Sequence, residues 1–197
     1  MNQQKSPVSG IIITLLLLFS FIVVAVPSFA VTKEQIEQQQ VDISKMADET
    51  LARLYKTQPS AEKAIKKAAG YAVFSNFGMK ILFAGGGSGK GVAVNNKTKS
   101  STFMKMIEVQ AGLGMGIKKF RLIWVFENQR DLDMFINSGW EFGGQATAAV
   151  KASGEGAALA GAMSIKPGVW LYQLTDDGLA LELTAKGTKY YKDDNLN

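Results

Sequence analysis

The chain has 197 residues, 47% apolar and 20% charged, with a formal net charge of +5 and a mean hydropathy of +0.04. That suits one ordinary globular domain and is too apolar for wholesale disorder. It has no cysteine and no histidine, which removes disulfides, thiolate nucleophiles, Cys- or His-ligated metals and imidazole bases, so no catalytic residue, cofactor or metal site is expected.

The first thirty residues read as an export leader. Lys5 precedes an uncharged run from Ile11 to Val26, then Pro27 and the small residues Ser28 and Ala30. Small-x-small spacing places cleavage after Ala30. Retention as an N-terminal anchor is the lesser reading, since the run is short for a bilayer span. Residues 31–197 then carry 21 basic and 17 acidic side chains. This mild excess suits an anionic surface and falls short of a nucleic-acid binder. The expected location is the periplasm or cell envelope.

Thr32 to Lys56 is a polar stretch with Ile36, Ile43, Ala47, Thr50, Leu51 and Leu54 on one helical face, stopped by Thr57-Gln58-Pro59. Ser60 is expected to cap a shorter helix, Ala61 to Ala69, ended by Gly70. Ala61, Ala64, Ile65 and Ala68 make its apolar stripe, with Lys63, Lys66 and Lys67 opposite. It is the one clearly basic amphipathic segment, and packing of its stripe on the rest of the domain is the competing reading.

From Tyr71 the pattern becomes β. Strands are expected at 71–77, 80–87, 90–96, 100–109 and 120–126. A helix over 128–138, capped by Asn128 and ended by Gly139, interrupts them. Further strands follow at 140–150, 158–165, 168–175 and 179–186, with Asp177-Gly178 as a hairpin turn. The fold class is therefore α+β: N-terminal helices, then a Gly-rich, strongly curved antiparallel or barrel-like sheet with one inserted helix. The expected organisation is a leader (1–30), an N-terminal helix (31–59) and a β-rich domain (60–192).

Gly85-Gly86-Gly87-Ser88-Gly89-Lys90-Gly91 is not a phosphate loop. Residue 84 is Ala and residue 91 is Gly, so the first glycine and the magnesium-binding hydroxyl are both missing. Gly112-Leu113-Gly114-Met115-Gly116 lacks the third glycine of a dinucleotide fingerprint. Fourteen of the twenty glycines lie between Gly85 and Gly161, which fits bulges, tight coiling and close backbone packing. The Asp pairs fall at a helix start, a turn and a tail. Glu108, Glu127, Glu141 and Glu182 in or beside strands have no visible catalytic partner. Lys118, Lys119 and Arg121 form a second basic cluster before the apolar run Leu122–Phe126. They guard a strand edge, or join Lys63, Lys66 and Lys67 in an anion-binding face if the fold brings the two groups together.

Several motifs occur in a fixed order. They are Lys67-Ala68-Ala69-Gly70-Tyr71-Ala72-Val73-Phe74, Gly85 to Val92, Gly112-Leu113-Gly114 and Leu122 to Phe126. Leu132-Asp133-Met134-Phe135, Gly139-Trp140-Glu141-Phe142-Gly143-Gly144, Val169-Trp170-Leu171-Tyr172 and Leu179 to Leu183 follow. From about Ser60 to Tyr190 this order resembles the SYLF domain family, which includes lipid-binding modules of eukaryotic cortical-actin and endocytic proteins and many exported bacterial proteins. The chain departs from the family pattern at Gly116-Ile117-Lys118, where members often carry Gly-Gly-Gln. The resemblance implies a non-catalytic domain that binds anionic phospholipid peripherally through a basic amphipathic helix and nearby positive charge. The implied lipid-binding residues are Lys63, Lys66, Lys67, Lys118, Lys119 and Arg121. The alternative is an envelope structural or interaction module that contacts a protein, or another copy of itself, through its sheet edge. Nucleic acid is not an expected partner.

Overall fold

The structure, a computed structural model, describes residues 32–81, 84–111, 116–142, 159–176, 178–180 and 187–197. The leader and its cleavage site lie outside the described residues, as do Gly112-Leu113-Gly114, residues 143–158, Asp177 and residues 181–186. Residues 32–197 form one compact unit, so the first helix and the β-rich region share a core.

Helix α1 (Lys33–Thr57) starts at a reciprocal cap: Thr32 Oγ1 accepts from Gln35 N–H, and Gln35 Oε1 accepts from Thr32 N–H. It buries Ile43, Ala47, Thr50, Leu51 and Leu54, the expected stripe. Helix α2 (Pro59–Lys67) departs from expectation at both ends. Pro59 takes the first helical turn and Gln58 the cap position, while Ser60 lies inside the helix and accepts from Gln58 Nε2. The helix stops at Lys67 because Ala68 turns extended (φ −62°, ψ 160°). Gly70 instead opens the first strand, where a Cβ would collide with the Val94 carbonyl and the Leu132 side chain.

Nine strands among the described residues make one antiparallel sheet: β1 (Gly70–Ile81), β2 (Ala84–Asn95), β3 (Ser101–Ala111), β4 (Gly116–Phe126), β5 (Trp140–Phe142), β6 (Met163–Lys166), β7 (Val169–Thr175), β8 (Gly178–Ala180) and β9 (Thr188–Lys192). Their order is β5-β9-β3-β2-β1-β4-β7-β6, with β8 on β7. The strand expected at 80–87 is not separate. β1 runs to Ile81, β2 starts at Ala84, and the two residues face each other, so the chain reverses within that stretch without a turn-forming Asn, Asp or Pro. The strand expected at 158–165 shortens to β6 because Gly161, at φ +80°, leaves strand geometry. β9 was not expected at all.

Alternation along the strands gives the sheet two faces. On one, Val73, Val92, Ile123, Val125, Tyr172 and Leu174 pack under α1 and α2. On the other, Phe74, Trp124, Phe126 and Tyr190 gather with Trp140 around helix α3 (Gln129–Asn137), their ring centroids 4.9–6.5 Å from neighbouring rings. The end strands β5 and β6 both reach this second core through Trp140, Met163 and Ile165, and Lys166 Nζ stands 5.2 Å from the Trp140 ring centre. The sheet thus curls until its two ends nearly meet, with α3 packed into the hollow. Each fully buried Leu, Ile or Phe in these cores contributes about 1.5–3 kcal/mol.

Candidate functional site

The apolar stripe of α2 is part of the core. Ala61 and Ile65 are fully buried, and Ala68 nearly so. Asn96 Nδ2 donates to the Ile65 and Ala68 carbonyls and ties down the end of the segment. Lys63, Lys66 and Lys67 are exposed, and Lys66 pairs with Glu62 at 2.6 Å. α2 is amphipathic because it packs on the sheet, so its apolar face is not free to enter a membrane.

The second basic cluster stands elsewhere. Lys67 is three residues before Gly70, which pairs with Phe126. Arg121 and Lys119 lie five and seven residues back along β4, opposite Ser75 and Phe77, about 17 and 23 Å from that end at strand rise. The fold does not merge the two predicted groups into one patch. It adds a cation that sequence reading missed. Arg53, on the exposed side of α1, lines a cleft of about 270 Å³ with Lys119 and Arg121 of β4, Ser75 and Asn76 of β1, and the end of β7.

Each element has a reason to be there. Leu54 and Leu51 seat α1 on the sheet, which directs Arg53 to the end of β7. There Arg53 Nη2 donates to the Thr175 carbonyl and, at 3.0 Å, to the Asp176 carbonyl. Lys119 and Arg121 alternate with buried Phe120 and Leu122, so both fall on the face that carries the helices. The register continues the cationic line: Arg121, Ser75, Lys90 and Lys105 are successive partners across β4, β1, β2 and β3. Lys105 is held by Asp193 at 2.7 Å, and Lys90 donates to Gln39. Among the described residues Lys119 and Arg121 form no ion pair, and Asp176 is the only carboxylate lining the cleft. Such a cleft holds an anionic group by charge and by guanidinium hydrogen bonds. The Lys118 side chain lies outside the described residues.

The acids in or beside the strands are placed differently. Glu108 is buried on the inner face and accepts from Asn76 Nδ2 at 2.5 Å. Burial and the nearby Glu108 charge raise the pKa of Tyr190, one strand away, so its hydroxyl stays protonated. Glu127 is exposed. The Glu141 side chain and Glu182 lie outside the described residues. Among the described residues no cluster of acids is arranged to hold a metal ion.

Residues 107–197 match the family model Ysc84, described as a Las17-binding protein actin regulator. Over 160 residues the chain is 35% identical to beta cell expansion factor A of Aeromonas veronii, a match covering 81% of this chain and 59% of that protein. The chain therefore spans less than two thirds of that relative's length. Lys119, Arg121 and the β7 end of the cleft fall inside the family match, and Arg53 falls outside it.

Proposed function

Because this chain belongs to the SYLF (Ysc84) family, we propose that it is a non-catalytic module that binds anionic phospholipid surfaces peripherally. In this reading the leader exports it to the periplasm or envelope, where it meets such a surface. The observation that supports the reading best is the cleft in which Arg53, Lys119 and Arg121 converge from two elements with a single carboxylate among them. Each basic residue near an anionic bilayer contributes about 1 kcal/mol, so three supply roughly 3 kcal/mol. That is weak, salt-sensitive attachment. The lysines of α2 add solvated charge only, since the stripe beneath them is core. The alternative is a contact with a protein through the sheet edge, where the end strands β5 and β6 have three and four residues among those described.

The test is co-sedimentation of residues 32–197 with phosphatidylglycerol-containing vesicles at low and high salt. A Lys119→Glu/Arg121→Glu variant should bind at least about tenfold more weakly. Lys63→Glu/Lys66→Glu/Lys67→Glu should change binding much less. No sedimentation at low salt sinks the lipid reading. Loss only in the α2 variant moves the site to that helix.

A further inference from the structure

The helix-bearing face of the sheet carries a second hollow beside the Arg53 cleft. This groove, of about 520 Å³, is lined by Ser75, Ser88, Lys90, Lys105, Ile107 and Tyr191. Ser75 also lines the cleft, so the two hollows meet on β1. One carboxylate, Asp176, stands among the residues lining them, and it belongs to the cleft.

Lys90 and Lys105 stand directly opposite each other across β2 and β3. Like charges so placed destabilise a sheet. Lys90 Nζ donates at 2.6 Å to the neutral amide oxygen of Gln39 and, among the described residues, forms no ion pair. Lys105 is held by Asp193 at 2.7 Å and is still 32% exposed. On α1, Asp42 accepts from Gln38 and Glu49 lies 4.0 Å from Lys45, so neither offsets the row. The two hollows gather Arg53, Lys119, Arg121, Lys90 and Lys105 against Asp176 and Asp193, an excess of three positive charges. Residues 31–197 have an excess of four, from 21 basic and 17 acidic side chains. The rest of the domain is thus close to balanced, and this face is not.

The spacing is set by the register. Arg121, Ser75, Lys90 and Lys105 are successive partners, and neighbouring strands lie about 4.8 Å apart. The midpoint of Lys90 and Lys105 is therefore about 12 Å from Arg121, with uncharged Ser75 between. Gln39 meets Lys90 and Arg53 reaches the end of β7, so one helix, α1, runs beside both hollows. A single phosphate is too small to touch both groups of cations.

We infer that this face is a two-point site for a ligand bearing two phosphate groups about 12 Å apart. One phosphate meets Arg53, Lys119 and Arg121, and the other meets Lys90 and Lys105. The ligand is a bisphosphate, carried on a lipid headgroup or free in solution. The inference rests on the phospholipid reading for its first point and adds the second. Joining two weak contacts in one molecule makes the second contact intramolecular, which raises affinity without any further group on the protein.

The test is calorimetric titration of residues 32–197 with octyl phosphate and with the α,ω-bisphosphates of ethane and octane. The octane compound reaches across the two points and the ethane compound does not. It should bind at least about tenfold more tightly than either of the others. A Lys90→Gln/Lys105→Gln/Asp193→Asn variant removes both lysine charges without stranding Asp193. It should bind the octane bisphosphate no more tightly than octyl phosphate, with octyl phosphate affinity within about twofold of the parent. Lys90→Gln alone, a surface change, should weaken the octane compound about fivefold even if the triple variant fails to fold. Phosphatidylcholine vesicles carrying a disaccharide lipid phosphorylated at both ends, or at one end, separate the two sources. Stronger sedimentation with the first supports a headgroup ligand, and equal sedimentation beside a retained octane preference supports a free one. An octane bisphosphate that binds the parent no more tightly than octyl phosphate overturns the second point. Sedimentation with phosphatidylglycerol vesicles then leaves the phospholipid reading standing, and its absence overturns both. An equal loss of the octane preference in Lys63→Glu/Lys66→Glu/Lys67→Glu means general charge attraction and also overturns the two-point site.

Discussion

At Gly91 the inner face of β2 passes so close to β1 that a Cβ would fall on the Val73 carbonyl and the Phe74 ring. At Gly89 it would fall on the Ser75 carbonyl and the Met106 side chain. These two glycines let the strands approach closely beside an aromatic side chain, so Gly89 and Gly91 are explained by shape without any phosphate. Gly86 is different, with only the Glu108 carbonyl near, at 3.5 Å. Gly91→Ala should therefore cost about 2 kcal/mol or more in urea denaturation, while Gly86→Ala stays within about 0.5 kcal/mol of the parent. Equal effects at the two positions would refute the close-approach account. At this scale the sequence was informative, since a glycine run without the first glycine and the hydroxyl of a phosphate loop already pointed to shape. Arg53 was not legible in the same way. It is one of several charges on a solvated helix, and only the docking of α1 against β7 separates it from the others.

Helix α3 shows how an element's ends are secured. Asn128 Oδ1 accepts from Asp131 N–H, and the Asp131 carboxylate accepts from Asn128 Nδ2 and, at 2.8 Å, from Lys166 Nζ of β6. The hydrogen bond from Lys166 is the largest influence on Asp131 and holds its carboxyl below the ordinary Asp value, against the opposing effect of burial. A depressed folded-state pKa adds stability above the unfolded value near pH 4 and loses it as pH falls through the folded value. Asp131→Asn should therefore destabilise the protein by about 1–2 kcal/mol at neutral pH. The gap between variant and parent should close below about pH 4, as read from denaturation midpoints across pH. A gap that persists at pH 2 would mean the carboxylate charge is not what clasps β6. The Asn128 cap and the apolar face of α3 were legible because capping and 3.6-residue periodicity are local. The break between β1 and β2 was not, because nothing local marks that turn. β9 escaped for the complementary reason: Thr-Lys-Tyr-Tyr-Lys is short, with two charges in five residues, and its partners β3 and β5 make it a strand.

Taken whole, the sheet receives one of its middle strands from the far end of the chain. β9 sits between β3 and β5, Tyr190 fills the inner core, Asp193 holds Lys105, and Leu196 is buried while its carbonyl accepts from Gln40 of α1. Deleting residues 188–197 removes all of these and bares the edge of β3. The shortened chain should lose cooperative thermal unfolding and partition into the insoluble fraction; a soluble truncation with a sharp melt would contradict this. The same placement sets a clock. β1 to β4 can pair with one another as soon as they are made, but β3 waits for a partner some eighty residues downstream. Until residues 188–192 are made, the inner core lacks Tyr190 and β3 lacks the strand that covers its outer side.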